Sequence, residues 1–282
     1  MNGYSKIKSF AKINLALNIV GKSLLLHKIE SIISFLSISD EIKIKEIYKK
    51  KHLIKFTGKF SKNILKKNTI SRLLEVLDKK KLLKNKKYEI RIKKNIPSKA
   101  GLGGGSMNAA NVLKFLIKKL NIKINKKKIL EITNLVGSDV ILGFFSTNLI
   151  LKSNGNIKSI RVLDKKHVLV IKPNFGCSTK RIYSKVKIFN TPKLKIYNKK
   201  LFDYSKLIKM NNDLELIAFK IYPKLNKLKF FLEKLPRVKL VRMTGSGSAM
   251  IAYFSSKKLC KQAEKKVKKN FSKYWCKIAK TI

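Results

Sequence analysis

The amino-acid sequence predicts an α+β fold in two lobes, and three observations lead to it. Strand-like and helix-like stretches follow one another without the regular alternation of a parallel α/β sheet. A strand, a glycine-rich turn and a long helical stripe stand in immediate succession between residues 88 and 120. No Pro/Ser/Gly-rich linker or fixed-period repeat interrupts the 282 residues, enough for one large core or two modest ones.

The first strand is read from alternation. Ile13, Leu15, Leu17 and Ile19 share one face, while Lys12, Asn14, Ala16 and Asn18 share the other. Two further strands are expected over residues 31–36 and 41–47, and a helix over 68–77, where Ile70, Leu73, Leu74 and Leu77 have helical spacing. Tyr88, Ile90 and Ile92 alternate as a strand ahead of the glycine-rich turn at 97–105. Ala109, Val112, Leu113, Leu116, Ile117 and Leu120 then mark a helix. Another helix is expected over 126–136, ended by Gly137-Ser138-Asp139. Past residue 150 come a strand at 168–172, a loop at 173–176 and a helix at 213–221. A hairpin pairs 238–242 with 249–254 through Thr244-Gly245-Ser246-Gly247, and a terminal lysine-rich helix is expected to begin near Lys257.

Charge is the unusual quantity. Lys and Arg number 67 against 15 Asp and Glu, a formal +52, and only six of the 67 are arginine. Such a charge attracts any polyanion. Yet the lysines run from end to end with many Ile and Asn, the mixture that A/T-rich codons encode, and nucleic-acid readers favour arginine. The excess therefore reads as compositional, and no specific nucleic-acid partner is expected. Hydrophobic residues at 44% and charged residues at 29% are globular proportions. Cys177, Cys260 and Cys276 have no metal-ligand spacing and fit a reducing compartment. With no apolar run of spanning length and no apolar signal core, a cytoplasmic protein without a membrane partner is expected.

The strongest chemical signal is Pro97-Ser98-Lys99-Ala100-Gly101-Leu102-Gly103-Gly104-Gly105-Ser106. Glycines let backbone N–H groups approach phosphate oxygens with no Cβ between. The helix that follows adds unpaired N–H groups and a partial positive charge. Ser106 can donate to a phosphate or help place a metal. Four glycines in five positions exceed what a plain turn needs, and a branched residue at Gly104 is expected to fill the phosphate space. No Gly-Lys-Ser/Thr ends the run, so it is not a Walker loop.

This run resembles the Pro-x-x-x-Gly-Leu-Gly-Ser-Ser-Ala loop of the GHMP small-molecule kinases. Its continuation Met107-Asn108-Ala109-Ala110 is similar to members acting on a cytidine-diphosphate derivative. Four other pieces resemble the family in the same order: Ala11-Lys12-Ile13-Asn14-Leu15, Gly137-Ser138-Asp139-Val140, Asn212-Asp213-Leu214-Glu215 and Arg242-Met243-Thr244-Gly245-Ser246-Gly247. His27 stands where the family has Gly-Tyr-His, and residues 173–183 resemble its Pro-Gly-x-x-hydrophobic-x-Thr segment.

The resemblance implies a GHMP kinase two-lobe fold: a ribosomal-protein-S5-like N-terminal lobe over residues 1–150 and a ferredoxin-like C-terminal lobe over 151–282. It implies ATP as co-substrate, Mg²⁺ bridging its phosphates, and transfer to the 2-hydroxyl of 4-diphosphocytidyl-2-C-methyl-D-erythritol in the non-mevalonate isoprenoid pathway. Pro97, Gly101, Leu102, Gly103, Gly104, Gly105 and Ser106 would hold the ATP phosphates. Asn14, His27, Tyr183, Gly245 and Gly247 would hold the acceptor, and Lys12 and Asp139 would carry catalysis. Chemistry agrees with the last pair: a carboxylate can take the hydroxyl proton, and an ammonium stabilises developing negative charge. Asp139 can equally be read as a helix N-cap, and the two roles are compatible.

Three departures stand out. Leu26 replaces the tyrosine beside the family histidine, Lys99-Ala100 replaces glycines, and Met107 replaces a serine. The loss of one ring predicts a raised KM for a cytidyl acceptor. No residues are identified as metal ligands. A monomer or weak homodimer is expected. A homoserine or mevalonate-type GHMP kinase, or a basic nucleic-acid binder on a relic kinase fold, are the other readings; the intact Lys12 and Asp139 argue against the latter.

Overall fold

The computed structural model describes residues 3–23, 26–62, 64–194 and 197–282, so Leu24 and Leu25 of the segment before His27 lie outside it. The chain forms two compact units. The first takes residues 1–11, 38–98 and 103–146, and the second takes 12–37, 99–102 and 147–282.

Strands β1 (Ser5–Lys22) and β2 (His27–Ile47) pair with each other, and each contributes residues to both units. The two strands expected at 31–36 and 41–47 are thus one. Ser37, Ser39 and Asp40 look like turn formers in sequence, but Asp40 is fully buried as a hydrogen-bond acceptor and the backbone stays extended.

In the first unit β3 (Leu53–Thr57) pairs in parallel with β4 (Lys87–Lys93), which pairs antiparallel with the 41–47 end of β2. Helices α1 (Thr69–Lys79), α2 (Gly104–Lys119) and α3 (Lys126–Val136) complete it. The core joins Ile42 and Ile44 of β2 and Tyr88, Ile90 and Ile92 of β4 to the helices. Those supply Ile70, Leu73, Leu74 and Leu77, then Val112, Leu113 and Leu116, then Ile132 and Val136. Each such side chain contributes about 1.5–3 kcal/mol on burial. Helix α2 begins ahead of its apolar stripe because Gly104, Gly105 and Ser106 are already helical.

In the second unit the 31–33 stretch of β2 pairs antiparallel with β5 (Asn148–Leu151), which pairs with β6 (Ile157–Ile160). A four-stranded antiparallel sheet follows the order β10 (Trp275–Lys280), β7 (His167–Lys172), β9 (Met250–Phe254), β8 (Leu240–Met243). Met243 opposite Met250 closes the expected hairpin. Helices α4 (Thr179–Tyr183), α5 (Tyr204–Leu207), α6 (Leu214–Ile221), α7 (Pro223–Glu233) and α8 (Lys257–Asn270) accompany this sheet. Leu225, Leu228 and Leu232 of α7 and Cys260, Ala263 and Val267 of α8 share one core with Leu169, Ile171 and Ala252. The chain therefore ends in β10 rather than in the lysine-rich helix. Two sheets with helices interspersed irregularly make the α+β fold that the sequence predicts. No helix among the described residues is long and apolar enough to cross a membrane.

Helix α1 starts with a reciprocal cap. Asn68 Oδ1 accepts from the Ile70 and Ser71 N–H groups at 3.0 and 3.2 Å, and Ser71 Oγ accepts from Asn68 N–H at 2.9 Å. Thr69 Oγ1, one residue on, donates to the Gly105 carbonyl at 3.0 Å. Asn68→Ala should therefore cost about 0.5–2 kcal/mol, read as a lowered midpoint in urea unfolding. An unchanged midpoint would mean that the cap does not hold this helix start.

Candidate active site

The residues expected to hold the ATP phosphates divide between the units. In the first, Gly103 is the N-cap of α2 with φ 66°, a left-handed conformation that favours glycine, and it has no side chain to cap the helix. The first intrahelical bond is Met107 N–H to Gly103 O at 2.9 Å. The N–H groups of the preceding turn, Gly104 to Ser106, are left for an external acceptor, at the positive end of a 16-residue helix. Gly105 is exposed, Ser106 half-buried and Pro97 buried.

Gly104 is a correction. A Cβ there would lie 3.0 Å from Ile96 Cγ2 and 3.2 Å from Lys94 Nζ. A branched residue would thus press on the interior, not fill the phosphate space as expected from the sequence.

The approach to the turn is fixed by Asp40. Its Oδ1 accepts from Asn95 and Ile96 N–H, each at 2.8 Å, and its Oδ2 accepts from Asn108 Nδ2 at 2.8 Å and pairs with Lys94 Nζ. Four donors on one buried carboxylate set the segment before the turn against the helix after it.

Asp139 is half-buried in the same unit, leading a 3₁₀ turn over Val140–Phe144. Its side chain makes no capping bond to that turn, so the capping role expected beside the catalytic one does not hold. The turn packs closely on α2: a Cβ on Gly143 would lie 2.5 Å from Ala110 Cβ and 3.3 Å from Met107 Sδ. Gly143 thus lets the Asp139 segment approach the phosphate-loop helix.

In the second unit, Lys12 and Asn14 are almost fully buried, so the polar face of β1 faces protein and not solvent. Lys12 Nζ donates to Asn14 Oδ1 at 2.8 Å, Asn14 Nδ2 donates to Ser31 Oγ at 2.8 Å, and Ser31 Oγ donates to Ala16 O at 2.6 Å. This relay orients the Asn14 amide so that its oxygen faces the ammonium. The backbone ties Lys12 to the glycine-rich turn, since its N–H donates to Leu102 O at 3.0 Å. Thr244 Oγ1 accepts from Asn14 N–H at 3.0 Å and donates to Gly101 O at 3.2 Å. Gly101 has φ +73°, and a Cβ there would lie 1.9 Å from Thr244 O. Lys12, Asn14, Gly101, Leu102, Gly245 and Gly247 are thus brought together. The two later glycines are themselves buried.

The Asn212-Asp213-Leu214-Glu215 piece positions this turn. Asn212 Nδ2 donates to Met243 O and Gly245 O, both at 2.8 Å, and Glu215 Oε1 accepts from Met243 N–H at 2.6 Å. Asp213 Oδ2 accepts from Ile19 N–H at 2.7 Å. Arg242 donates to Leu15 O at 2.8 Å and to Leu207 O at 3.1 Å.

His27 and Tyr183 also meet, with ring centroids 5.1 Å apart and planes tilted by 45°. Partial burial, and then the Lys22 charge, hold the His27 imidazole below the usual histidine range. Phe189 lies 6.2 Å from the same ring. Sequence reading missed Asp40, Lys94, Ser31 and Phe189, and it gave Asn108 no role beyond its place in the family-like run, because their partners lie far along the chain.

The GHMP kinases N-terminal domain matches residues 68–146 and the GHMP kinases C-terminal domain matches 200–273. A 4-diphosphocytidyl-2-C-methyl-D-erythritol kinase of Pelagibacter ubique is 54% identical over 282 residues, all of both chains. One from Petrotoga mobilis is 31% identical over 86% of this chain and 96% of its own. The fold matches a crystal structure of 4-(cytidine 5'-diphospho)-2C-methyl-D-erythritol kinase with a TM-score of 0.75 at 21% identity, covering 98% of this chain and 99% of that one. It also matches a homoserine kinase from Cytophaga hutchinsonii with a TM-score of 0.70 at 14% identity, covering 98% and 94%. Likeness at those identities speaks for the fold alone, whereas identity along the whole length speaks for kinship: this chain belongs to the GHMP kinases, among the 4-diphosphocytidyl-2-C-methyl-D-erythritol kinases.

Proposed function

We propose that this kinase transfers the γ-phosphate of ATP to the 2-hydroxyl of 4-diphosphocytidyl-2-C-methyl-D-erythritol. The observation that carries the reading of the site is Lys12: a buried ammonium, oriented by Asn14 at 2.8 Å and tied by its own backbone to Leu102 of the glycine-rich turn at 3.0 Å. Full-length identity to a kinase named for that substrate supports the choice of acceptor. The fold by itself does not choose, since a homoserine kinase shares it.

In the proposed reaction the acceptor hydroxyl gives its proton to the Asp139 carboxylate as its oxygen attacks the γ-phosphorus. The bond from that phosphorus to the bridging oxygen of ADP then breaks. Lys12 stabilises the negative charge that develops. The N–H groups of Gly104, Gly105 and Ser106, with Gly101, Leu102 and Gly103 shaping the turn and Pro97 leading into it, receive the phosphates. Asn14, His27, Tyr183, Gly245 and Gly247 are assigned to the acceptor side.

The residues present fit Mg²⁺ delivered with the nucleotide. No three His, Cys, Asp or Glu side chains converge among the described residues, and an ion held chiefly by phosphates and water needs only one or two protein oxygens. The Ser106 hydroxyl is the group that would help hold it. Bound there, Mg²⁺ would neutralise charge on the β- and γ-phosphate oxygens. Nucleic acid takes no part in this reaction.

ADP release measured against the cytidyl acceptor, homoserine, mevalonate and phosphomevalonate tests the reading. Turnover is expected with the first, and turnover only with another would replace it. Asp139→Asn keeps size but removes the proton acceptor, so kcat should fall about 10²–10⁴-fold with ATP affinity retained. A near-normal kcat would remove Asp139 from that role.

Because the His27 pKa is lowered, its ring is neutral at pH 7 and above and one nitrogen can accept a hydrogen bond. The KM for the cytidyl acceptor should stay flat above pH 7 and rise only as pH drops below about 6.5. His27→Gln should abolish that rise. A profile identical in wild type and His27→Gln would show that His27 does not meet the base.

A further inference from the structure

We propose that Phe189 supplies the aromatic face against which the acceptor's base packs, replacing from another segment of the chain the ring that Leu26 lacks. The proposal rests on the cytidyl reading of the acceptor above. Leu26 is aliphatic and 60% exposed, and it offers no π face beside His27. Phe189 is 43% exposed, with its ring centroid 6.2 Å from that of His27 and the planes tilted by 43°.

Single exposed hydrophobic residues are ordinary on a protein surface, so exposure alone would carry nothing. Two further observations do. The first is company: His27 has Tyr183 at 5.1 Å as well as Phe189, which groups two apolar faces around one imidazole able to hydrogen-bond. A nucleobase has an apolar face and a polar edge, and this group offers something to each. The tilts near 45° show that neither ring is stacked on the imidazole.

The second is anchorage. The residues just after Phe189 have no regular secondary structure, yet their backbone is fastened to β1 and β2. Asn190 N–H donates to Ile19 O at 2.8 Å, and Asn190 Nδ2 donates to Asp213 Oδ2 at 2.8 Å. Asn18 Nδ2 donates to Thr191 O at 3.1 Å, and Glu30 Oε2 accepts from Lys193 and Leu194 N–H at 2.7 and 3.1 Å. Glu30 is a buried carboxylate given to this purpose. An exposed ring on a fixed backbone loses little freedom when a ligand covers it.

The test is steady-state kinetics at saturating ATP for wild type, Phe189→Ala, Phe189→Leu and Phe189→Tyr, with melting temperatures alongside. Removing the π face should raise the KM for the cytidyl acceptor roughly 5- to 150-fold in both the Ala and Leu variants, the equivalent of ~1–3 kcal/mol of base stacking. The values of kcat and of KM for ATP should hold, and the Tyr variant should stay within about 2-fold of wild type. A purely structural role would instead lower the melting temperature in Phe189→Ala and be repaired by Phe189→Leu. An active wild type with unchanged KM in the Ala and Leu variants would overturn the role of Phe189 and leave the acceptor reading intact. A wild type inert toward the cytidyl acceptor would overturn both.

Discussion

One buried carboxylate, Asp40, holds three separate pieces of chain around the glycine-rich turn that we propose binds phosphate. It belongs to β2, and it accepts from the backbone of Asn95 and Ile96, from the Asn108 side chain and from Lys94. The first two lead into the glycine-rich turn, and Asn108 stands in the first turns of the helix beyond it. Removing one partner of a buried ion pair costs about 3–5 kcal/mol, whereas well-packed apolar replacements for both can be neutral. Stability alone would therefore not call for this pair. An apolar substitute could not receive the two backbone N–H groups, and the path of residues 94–96 would lose its template. A Cβ on Gly104 would lie 3.0 Å from Ile96 Cγ2 and 3.2 Å from Lys94 Nζ, so the same interaction helps to crowd that position.

The second unit solves the parallel problem with one amide and two charged side chains. Asn212 grips both Met243 O and Gly245 O, Glu215 receives Met243 N–H, and Arg242 reaches back to Leu15 O. These bonds fix the 244–247 turn against β1. Thr244 can then bridge Asn14 N–H and Gly101 O, and Lys12 is held where its ammonium faces Asn14. Short sequence pieces far apart in the chain thereby form one hydrogen-bonded frame. Its buried donors and acceptors are largely matched to one another, as a frame of this kind requires, with Arg242 Nε an exception.

What could be read in the sequence was what repeats locally. Alternation over 13–19 found β1, and spacing over 109–120 found α2. Four glycines around Leu102 marked the turn between strand and helix, because glycine in such numbers answers to a backbone need that no side chain serves. Asp40 was invisible for the opposite reason. Its partners are 54 to 68 positions away, and Ser and Asp are in general turn formers, so nothing local marks 31–47 as one strand. Phe189 lies in an irregular lysine-rich stretch, and only its fixed neighbours, Asn190 to Leu194, give it a place. Asp139 and Lys12 were recognised through short pieces resembling a family. The structure adds a physical setting: Gly143 packed on α2 for one, and a buried relay to Ser31 for the other.

The glycine-rich turn proposed to bind phosphate has its approach fixed by Asp40 and the N–H groups of its helix left for a ligand. Amide hydrogen exchange of the intact protein, with and without ATP and Mg²⁺, measures both halves together. Exchange at Asn95 and Ile96 should be slow in the free protein and little changed by nucleotide. Gly104, Gly105 and Ser106 should exchange fast when free and become protected on binding. Rapid exchange at Asn95 and Ile96 in the free protein, or no protection of Gly104 to Ser106 at saturating ATP, would contradict this arrangement.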